Sequence, residues 1–367
     1  MSPSVVALYL PQYHPIPEND EWWEPGFTEW TNVTKAKPLY RGHHQPSLPA
    51  DLGLYDLRVP EVRVQQAAMA RAHGVSAFCY YHYWFGNGRR LLERPFQEVL
   101  HSGEPDFPFM LCWANQTWSG IWHGLDKRVL VEQTYPGTAD HEQHFHTLLP
   151  AFQDPRYLRV QGKPVFMIYR PRELPDAMAV TSLWRQLAVA AGLPGLYLLG
   201  ESADPHWNAA GHGLDAFVNM RALQRRREWV SWQHPMAKVG GKLLDLLGRP
   251  SVKQYSALHD YFVPDSAADE AIPCVLPGWD NTPRSGARGL VLEGATPQAF
   301  AQQLRRALDR CDKRQAPDKL LFVKSWNEWA EGNHLEPGRR YGRQHLEVLR
   351  DALMQRYGAS VVASRPR

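Results

Sequence analysis

The sequence predicts an α/β fold of the (β/α)8 TIM-barrel type. Three observations carry that prediction: eight short apolar runs, amphipathic helical patterns between them, and no linker-like tract that would divide the 367 residues. A continuously apolar run suits a strand buried on both faces, as in a parallel sheet, and parallel strands need helical crossovers. Eight alternating units suit a closed barrel better than the alternative, an open doubly wound sheet.

The runs follow in order as Val5 to Leu10, Val75 to Tyr80, Phe109 to Trp113, Val165 to Tyr169, Leu196 to Gly200, Asp215 to Val218, Ile272 to Leu276 and Leu320 to Trp326. Between the first two, Pro60 at a first helical position and Gly74 as a stop bracket one helix. Thr296-Pro297 opens another, whose Phe300, Leu304, Ala307, Leu308 and Cys311 form one apolar stripe at helical spacing. Leu346, Leu349 and Leu353 repeat the pattern near the C-terminus. The segments from Pro11 to Val59 and from Ala114 to Ala139 are too long for ordinary βα connections. Long ordered loops tend to carry function, and in a barrel these would sit at the C-terminal face. Residues 1–367 are therefore expected to form a single barrel domain with long βα loops.

Composition excludes several function classes. With 44% hydrophobic and 22% charged residues the chain can bury a large core, and no apolar run approaches the ~18 residues of a membrane span. A net charge of +3 from 41 basic and 38 acidic residues does not point to nucleic acid. Cys79, Cys112, Cys274 and Cys311 lie far apart with no C-x-x-C, so they are expected to be reduced core thiols. The N-terminus has no basic n-region and too short an apolar stretch for a signal peptide, which predicts a cytoplasmic protein. Tryptophan is unusually frequent, with 14 residues, and Trp-lined clefts are one use for it.

The densest chemical signal follows the last predicted strand: Lys324-Ser325-Trp326-Asn327-Glu328-Trp329-Ala330-Glu331-Gly332, then His334 and Glu336. If this segment turns helically, Glu328 and Glu331 share one side at Cβ separations of ~5 to 6 Å, near the carboxyl spacing of retaining glycosidases. An apolar tryptophan flank would favour the protonated form of one carboxyl while polar donors favour the ionised form of the other, which separates acid from base. An isolated E-x-x-E is more often a helix start complementing the dipole; its place after the final strand favours the catalytic reading. Aromatic and polar residues also cluster at other strand ends. Tyr9, Gln12, His14 and Trp30 follow the first strand; Tyr81, His82 and Trp84 end the second; Trp113, Asn115 and Trp118 follow the third; Trp279 and Asp280 follow the seventh. Such a lining suits a sugar, whose C–H faces stack on rings and whose hydroxyls need paired donors and acceptors.

Other motifs carry less. Gly211-His212-Gly213-Leu214-Asp215-Ala216 matches G-x-G-x-x-A but precedes a strand instead of following one, so no dinucleotide site is expected. His141-Glu142-Gln143-His144 lacks H-E-x-x-H spacing and, with His146, reads as an exposed helix. Arg225, Arg226 and Arg227 form a short basic run, which reads as a solvated face or a meeting point for an anionic lipid or diphosphate-linked glycan. No metal site and no cofactor are expected.

Taken together, Leu8-Tyr9-Leu10-Pro11-Gln12-Tyr13-His14, Gly26-Phe27-Thr28-Glu29-Trp30-Thr31-Asn32-Val33, His44-Gln45-Pro46, Tyr80-Tyr81-His82-Tyr83-Trp84 and Ser325-Trp326-Asn327-Glu328-Trp329-Ala330-Glu331-Gly332 resemble the WbsX family of bacterial polysaccharide loci. WbsX proteins are commonly described as glycosyltransferases, yet they look like relatives of glycoside hydrolase family 99, endo-acting α-mannosidases with a (β/α)8 barrel. The resemblance implies a retaining mechanism in which Glu328 deprotonates the sugar 2-hydroxyl, which attacks C1 to give a 1,2-anhydro intermediate. Glu331 would protonate the leaving oxygen and then activate the water that opens the intermediate. Asn327 and Trp329 match the shared element, whereas the aromatic N-terminal loop follows WbsX and not the mannosidases. The implied partner is an oligosaccharide or polysaccharide, lipid-linked O-antigen intermediates included. Two further readings stay open here: a glycosyltransferase or transglycosylase of O-antigen assembly, and a non-catalytic glycan-binding barrel.

Overall fold

The computed structural model describes residues 2–120, 128–220 and 249–360. The Arg225 to Arg227 run lies outside the described residues. Eight barrel strands appear where apolar runs predict them: β1 Ser4–Tyr9, β2 Ala77–Trp84, β3 Phe109–Trp113, β4 Lys163–Ile168, β5 Tyr197–Ser202, β6 Ala216–Asn219, β7 in two segments, Ala271–Ile272 and Cys274–Val275, and β8 Leu320–Val323. Each is parallel to its neighbours, in chain order from β1 through β6. β1 pairs with both β2 and β8, Val6 facing Ala77 on one side and Phe322 on the other, so it has no free edge.

Closure depends on a proline. The first segment of β7 pairs with β6 and the second with β8. Pro273, between them, has no N–H to give either ladder, and its carbonyl accepts from Phe322 N at 3.0 Å. The single apolar run at Ile272 to Leu276 is therefore a strand that passes its hydrogen bonding from one neighbour to the next. The ring is thus nearly closed, with the chain itself bridging the last gap at Pro273, which favours the barrel over the open sheet.

Helices cover the ring. Two short ones, α1 Pro17–Trp22 and α2 Glu29–Lys35, lie in the long connection after β1. α3 Pro60–Ala72 follows, with Pro at its first turn and Gly74 at φ 85° just beyond its end, as the bracketing residues predict. Then come α4 Arg94–Ser102, α5 Thr138–Gln153, α6 Ala177–Ala190, a four-residue turn α7 Thr282–Ser285, α8 Pro297–Lys313 and α9 Gln344–Tyr357. Thr296 caps α8 by accepting from Ala299 N at 3.2 Å, and its predicted stripe is buried. Leu346, Leu349 and Leu353 of α9 are buried as well.

Two local expectations change. α5 is not an exposed helix on its His141 and His144 side: both are buried while Glu142, Gln143 and His146 face solvent, because His144 packs among Trp84, Trp113 and Trp184. The segment after β8 is not helical. Asn327–Glu328 pairs antiparallel with Asn333–His334 across a 3-10 turn at Trp329–Glu331. The turn closes on Gly332 at φ 58°, where an added Cβ would come within 2.8 Å of Asp280 N, so only glycine fits. The four cysteines are free and buried.

Candidate active site

A cleft of about 470 Å³ opens at the carboxyl ends of the barrel strands. Its walls come from the β1 connection (Gln12, Trp22, Glu29), β2 (Tyr81, Tyr83), the β3 connection (Gln116, Trp118), the residue after β4 (Tyr169) and the β7 connection (Trp279, Arg284). Lys324, Glu328 and Glu331 from the end of β8 complete it.

The tight hairpin brings the two glutamates together without a helix. Glu328 N donates to Ser325 Oγ at 2.9 Å, which fixes its backbone, and Asn333 Nδ2 donates to Glu328 Oε2 at 3.2 Å, which fixes its side chain. Lys324 Nζ stands 3.6 Å from Glu328 Oε2 and lies over the rings of Tyr169 and Trp279. Glu331 hydrogen-bonds Glu328 and receives Arg284 Nη1 on Oε1 at 2.6 Å. The other arm of Arg284 reaches Glu29 Oε1 at 2.7 Å.

Burial pushes the Glu331 carboxyl up to about 7, with the neighbouring Glu328 charge adding to the rise and Arg284 and Lys324 opposing it. For Lys324 burial acts downward, but the Glu328 charge, then Tyr169 and Glu331, outweigh it and hold the ammonium well above its ordinary value. Arg284 behaves alike: burial opposes its charge, and Glu29 and Glu331 more than compensate. The arrangement offers one carboxyl able to give and take a proton near neutral pH, in hydrogen-bond contact with another.

Of the residues expected to contact substrate, Gln12, Tyr81, Trp118 and Trp279 line this cleft, and Glu328 and Glu331 form its floor. The others are placed elsewhere, chiefly because strand side chains alternate. Tyr81 and Tyr83 face inward, so His82 and Trp84 face the helices. His82 Nε2 lies 2.8 Å from His144 Nε2, and Trp84 Nε1 donates to Asp140 Oδ2 at 3.0 Å. Trp113 donates to Trp84 O and packs against Trp184, and Tyr9 donates to Gln66 of α3 at 2.6 Å.

Several more are scaffold behind the floor. Asn327 Oδ1 accepts from Leu10 N at 2.7 Å while its Nδ2 donates to Leu10 O at 3.0 Å, joining the hairpin to β1. Trp329 Nε1 donates to Glu336 Oε2 at 2.7 Å and the ring stacks on His334. Glu336 also accepts from Tyr55 and Gln66, and burial pushes its carboxyl up to about 7 against the pull of these donors. Trp30 packs on Tyr13, Tyr55 and Trp329. His14 is buried with Nδ1 3.1 Å from Pro11 O. Asn115 bonds both N and O of Arg170, tying the β3 and β4 connections. Asp280 accepts from Gln45 at 2.6 Å, lies 2.7 Å from His43 Nε2, and caps α7 through Thr282, which sets the turn that carries Arg284.

Sequence reasoning missed Glu29, Tyr83, Tyr169, Arg284 and Lys324 as lining residues. Alternation along β2 was the available signal for Tyr83, and the position of Lys324 at the strand end was the signal there. Arg284 gave none, since it lies in an ordinary polar stretch, Thr282-Pro283-Arg284-Ser285, and reaches the site through tertiary folding alone.

Comparison with known proteins is consistent with this geometry. A family model described as Glycosyltransferase WbsX matches residues 5–349. The protein WxcX of Xanthomonas campestris pv. campestris, itself described as uncharacterized, is 36% identical over 354 residues, covering 95% of this chain and 49% of that protein. The chain thus spans about half the length of this curated relative. Among solved structures, a glycoside hydrolase-like protein superposes with a TM-score of 0.56 at 16% identity, covering 96% of this chain and 94% of that one. The GH99 endo-alpha-mannosidase from Bacteroides thetaiotaomicron gives 0.53 at 13% identity, covering 98% and 99%. Identities this low establish a shared fold and nothing finer. The family match across nearly the whole chain and the close relative do establish descent: this chain belongs to the WbsX glycosyltransferase family.

Proposed function

We propose that the chain is a retaining carbohydrate-active enzyme that cleaves an α-mannose-like glycosidic bond in a bacterial polysaccharide or O-antigen glycan. The observation that carries this reading is the pair at the cleft floor: two hydrogen-bonded carboxyls, one of them raised to about 7, beneath walls of Tyr and Trp. In the first step Glu328, as carboxylate, takes the proton of the sugar 2-hydroxyl, O2 bonds to C1, and the bond from C1 to the leaving oxygen breaks as that oxygen takes the Glu331 proton. In the second, Glu331 removes a proton from water, which bonds to C1; the C1–O2 bond breaks and O2 recovers the proton held by Glu328. Two inversions at C1 retain the anomer. Lys324 beside Glu328 and Arg284 beside Glu331 offset the single negative charge that passes from Glu328 to Glu331 in the first step and back in the second.

The family description favours a second reading on the same intermediate, in which an acceptor hydroxyl replaces water and the enzyme transfers the sugar. Hydrogen-1 NMR of product anomers, from α-manno-configured and O-antigen oligosaccharides incubated with and without an acceptor sugar, separates the two. Release of a retained-anomer sugar by wild type, lost in Glu331→Gln, supports hydrolysis; product formed only with acceptor supports transfer. Glycan binding that is equal in wild type and Glu331→Gln, with no turnover in either, would leave a binding barrel and refute both.

A further inference from the structure

The cleft floor does not balance in charge. Three buried carboxyls, Glu29, Glu328 and Glu331, share two cations, Arg284 and Lys324. Arg284 is divided: Nε serves Glu29 at 2.7 Å and Nη1 serves Glu331 at 2.6 Å. Glu29 reaches this point because α2 is fixed at its start by a reciprocal capping box between Thr28 and Thr31, and next to Glu29 the buried Trp30 packs on Trp329. A buried cluster with one surplus negative charge is stabilised by taking up a proton.

The remaining groups around Glu331 do not change the count: Arg170, on the cleft wall after β4, stands 3.9 Å from another buried carboxyl, Glu201. Tyr81 and Tyr83 of β2, Tyr13 of the β1 connection and Tyr169 after β4 are all pushed up by burial and stay neutral. Asp280, ahead of α7, has its own partners in His43, Gln45 and Thr282. On the hairpin itself burial lowers His334 to about 4, and Glu336 is engaged by Trp329, Tyr55 and Gln66 on the far side of the Trp329 ring.

We propose that Glu29 is a positioning residue for the Glu331 proton: by claiming half of Arg284 it leaves the cluster one positive charge short, which adds to burial and the Glu328 charge in keeping Glu331 protonated. This rests on the acid/base role proposed for Glu331 and adds the residue that sets its protonation. Replacing Glu29 with glutamine preserves shape and the acceptor for Arg284 Nε but removes the charge. Arg284 keeps its Nε partner but no longer has its charge offset by a second carboxylate, which favours ionised Glu331.

The test is a carbon-13 titration of glutamate carboxyls in the full chain, with the Glu331 signal assigned by its loss in Glu331→Gln. In Glu29→Gln the Glu331 midpoint should fall by about 1 to 2 pH units, as expected for loss of one charge across a guanidinium bridge. Arg284→Gln should move it upward. Glu29→Asp, which keeps the charge but draws it back from Arg284, should give a smaller fall and serves if the amide variant does not fold. Where turnover is measured, the alkaline limb of kcat should shift with the midpoint and activity should recover at lower pH. An unchanged Glu331 midpoint in Glu29→Gln overturns the inference whether or not the enzyme turns over. A midpoint that falls while the kcat limb stays put upholds it and refutes the acid/base role of Glu331 instead.

Discussion

Asn327 is where the catalytic hairpin is fastened to the barrel, and its replacement tests the scaffold directly. Its amide clasps both backbone groups of Leu10, accepting at 2.7 Å and donating at 3.0 Å, and neither residue has meaningful contact with water. Asn327→Ala leaves a buried N–H and a buried C=O unpaired, and at about 1 to 2 kcal/mol each the expected loss is about 2 to 4 kcal/mol of stability. Asn327→Asp is nearly the same shape yet should be worse. It still accepts from Leu10 N, but it sets a carboxylate oxygen against Leu10 O and buries a charge with no cation beside it, which costs about 3 to 5 kcal/mol. Urea unfolding at neutral pH, with the m-value checked for constancy, orders the three proteins. The Asp variant should regain stability on acidification, when its carboxyl acquires the proton that Leu10 O needs. An Asp variant as stable as wild type, or an Ala variant within about 0.5 kcal/mol of it, would refute the clasp.

If Glu331 must be protonated to start the reaction, turnover should fall as pH rises through about 7, read from a kcat profile. Glu336 binds its proton more tightly folded, at about 7, than unfolded, at 4.5, so its contribution is fully present below 4.5 and lost as pH rises to 7. The stability of wild type minus that of Glu336→Gln should drop by about 3 kcal/mol across that window, in unfolding measured at both ends. His82 and His144 act in the opposite sense: burial lowers both, His82 to about 3, so stability should decline as pH falls below 6.5, and His82→Phe should flatten part of that decline. Trp118 lines the cleft edge-on to Tyr83 and Phe85, and Trp118→Ala should raise KM by about tenfold with kcat little changed in steady-state assays, the effect of losing one aromatic contact.

The barrel was legible because its signals are local. Strand burial leaves continuous apolar runs, helix ends leave Pro60, Gly74 and Thr296-Pro297, and these need no tertiary information. Boundaries were less so. The second strand runs on to Trp84, because Tyr81 to Trp84 are aromatic or imidazole side chains that pack in a sheet as well as aliphatic ones, and the last stops at Val323, where the chain leaves the ladder to build the hairpin. Pro273 inside an apolar run was a visible cue to the interrupted seventh strand.

The site was legible in kind and less so in membership, and the errors share one cause. Aromatic clusters at strand ends do mark the face where the cleft opens, but a cluster of consecutive residues must point in two directions, so roughly alternate members serve the cleft and the helical layer. His82 and Trp84 against Tyr81 and Tyr83 are that rule in one strand. A second loss is physical too. The residues that balance the glutamates, Arg284 and Glu29, lie far from them along the chain, and what unites them is a buried charge count that no local pattern encodes. The helical reading of the glutamates placed them on one side for the wrong reason. The hairpin achieves the same proximity with more rigid support, since Ser325, Asn333 and Gly332 each hold the turn at a different point, and a protonated carboxyl hydrogen-bonded to an ionised one needs that rigidity to stay paired.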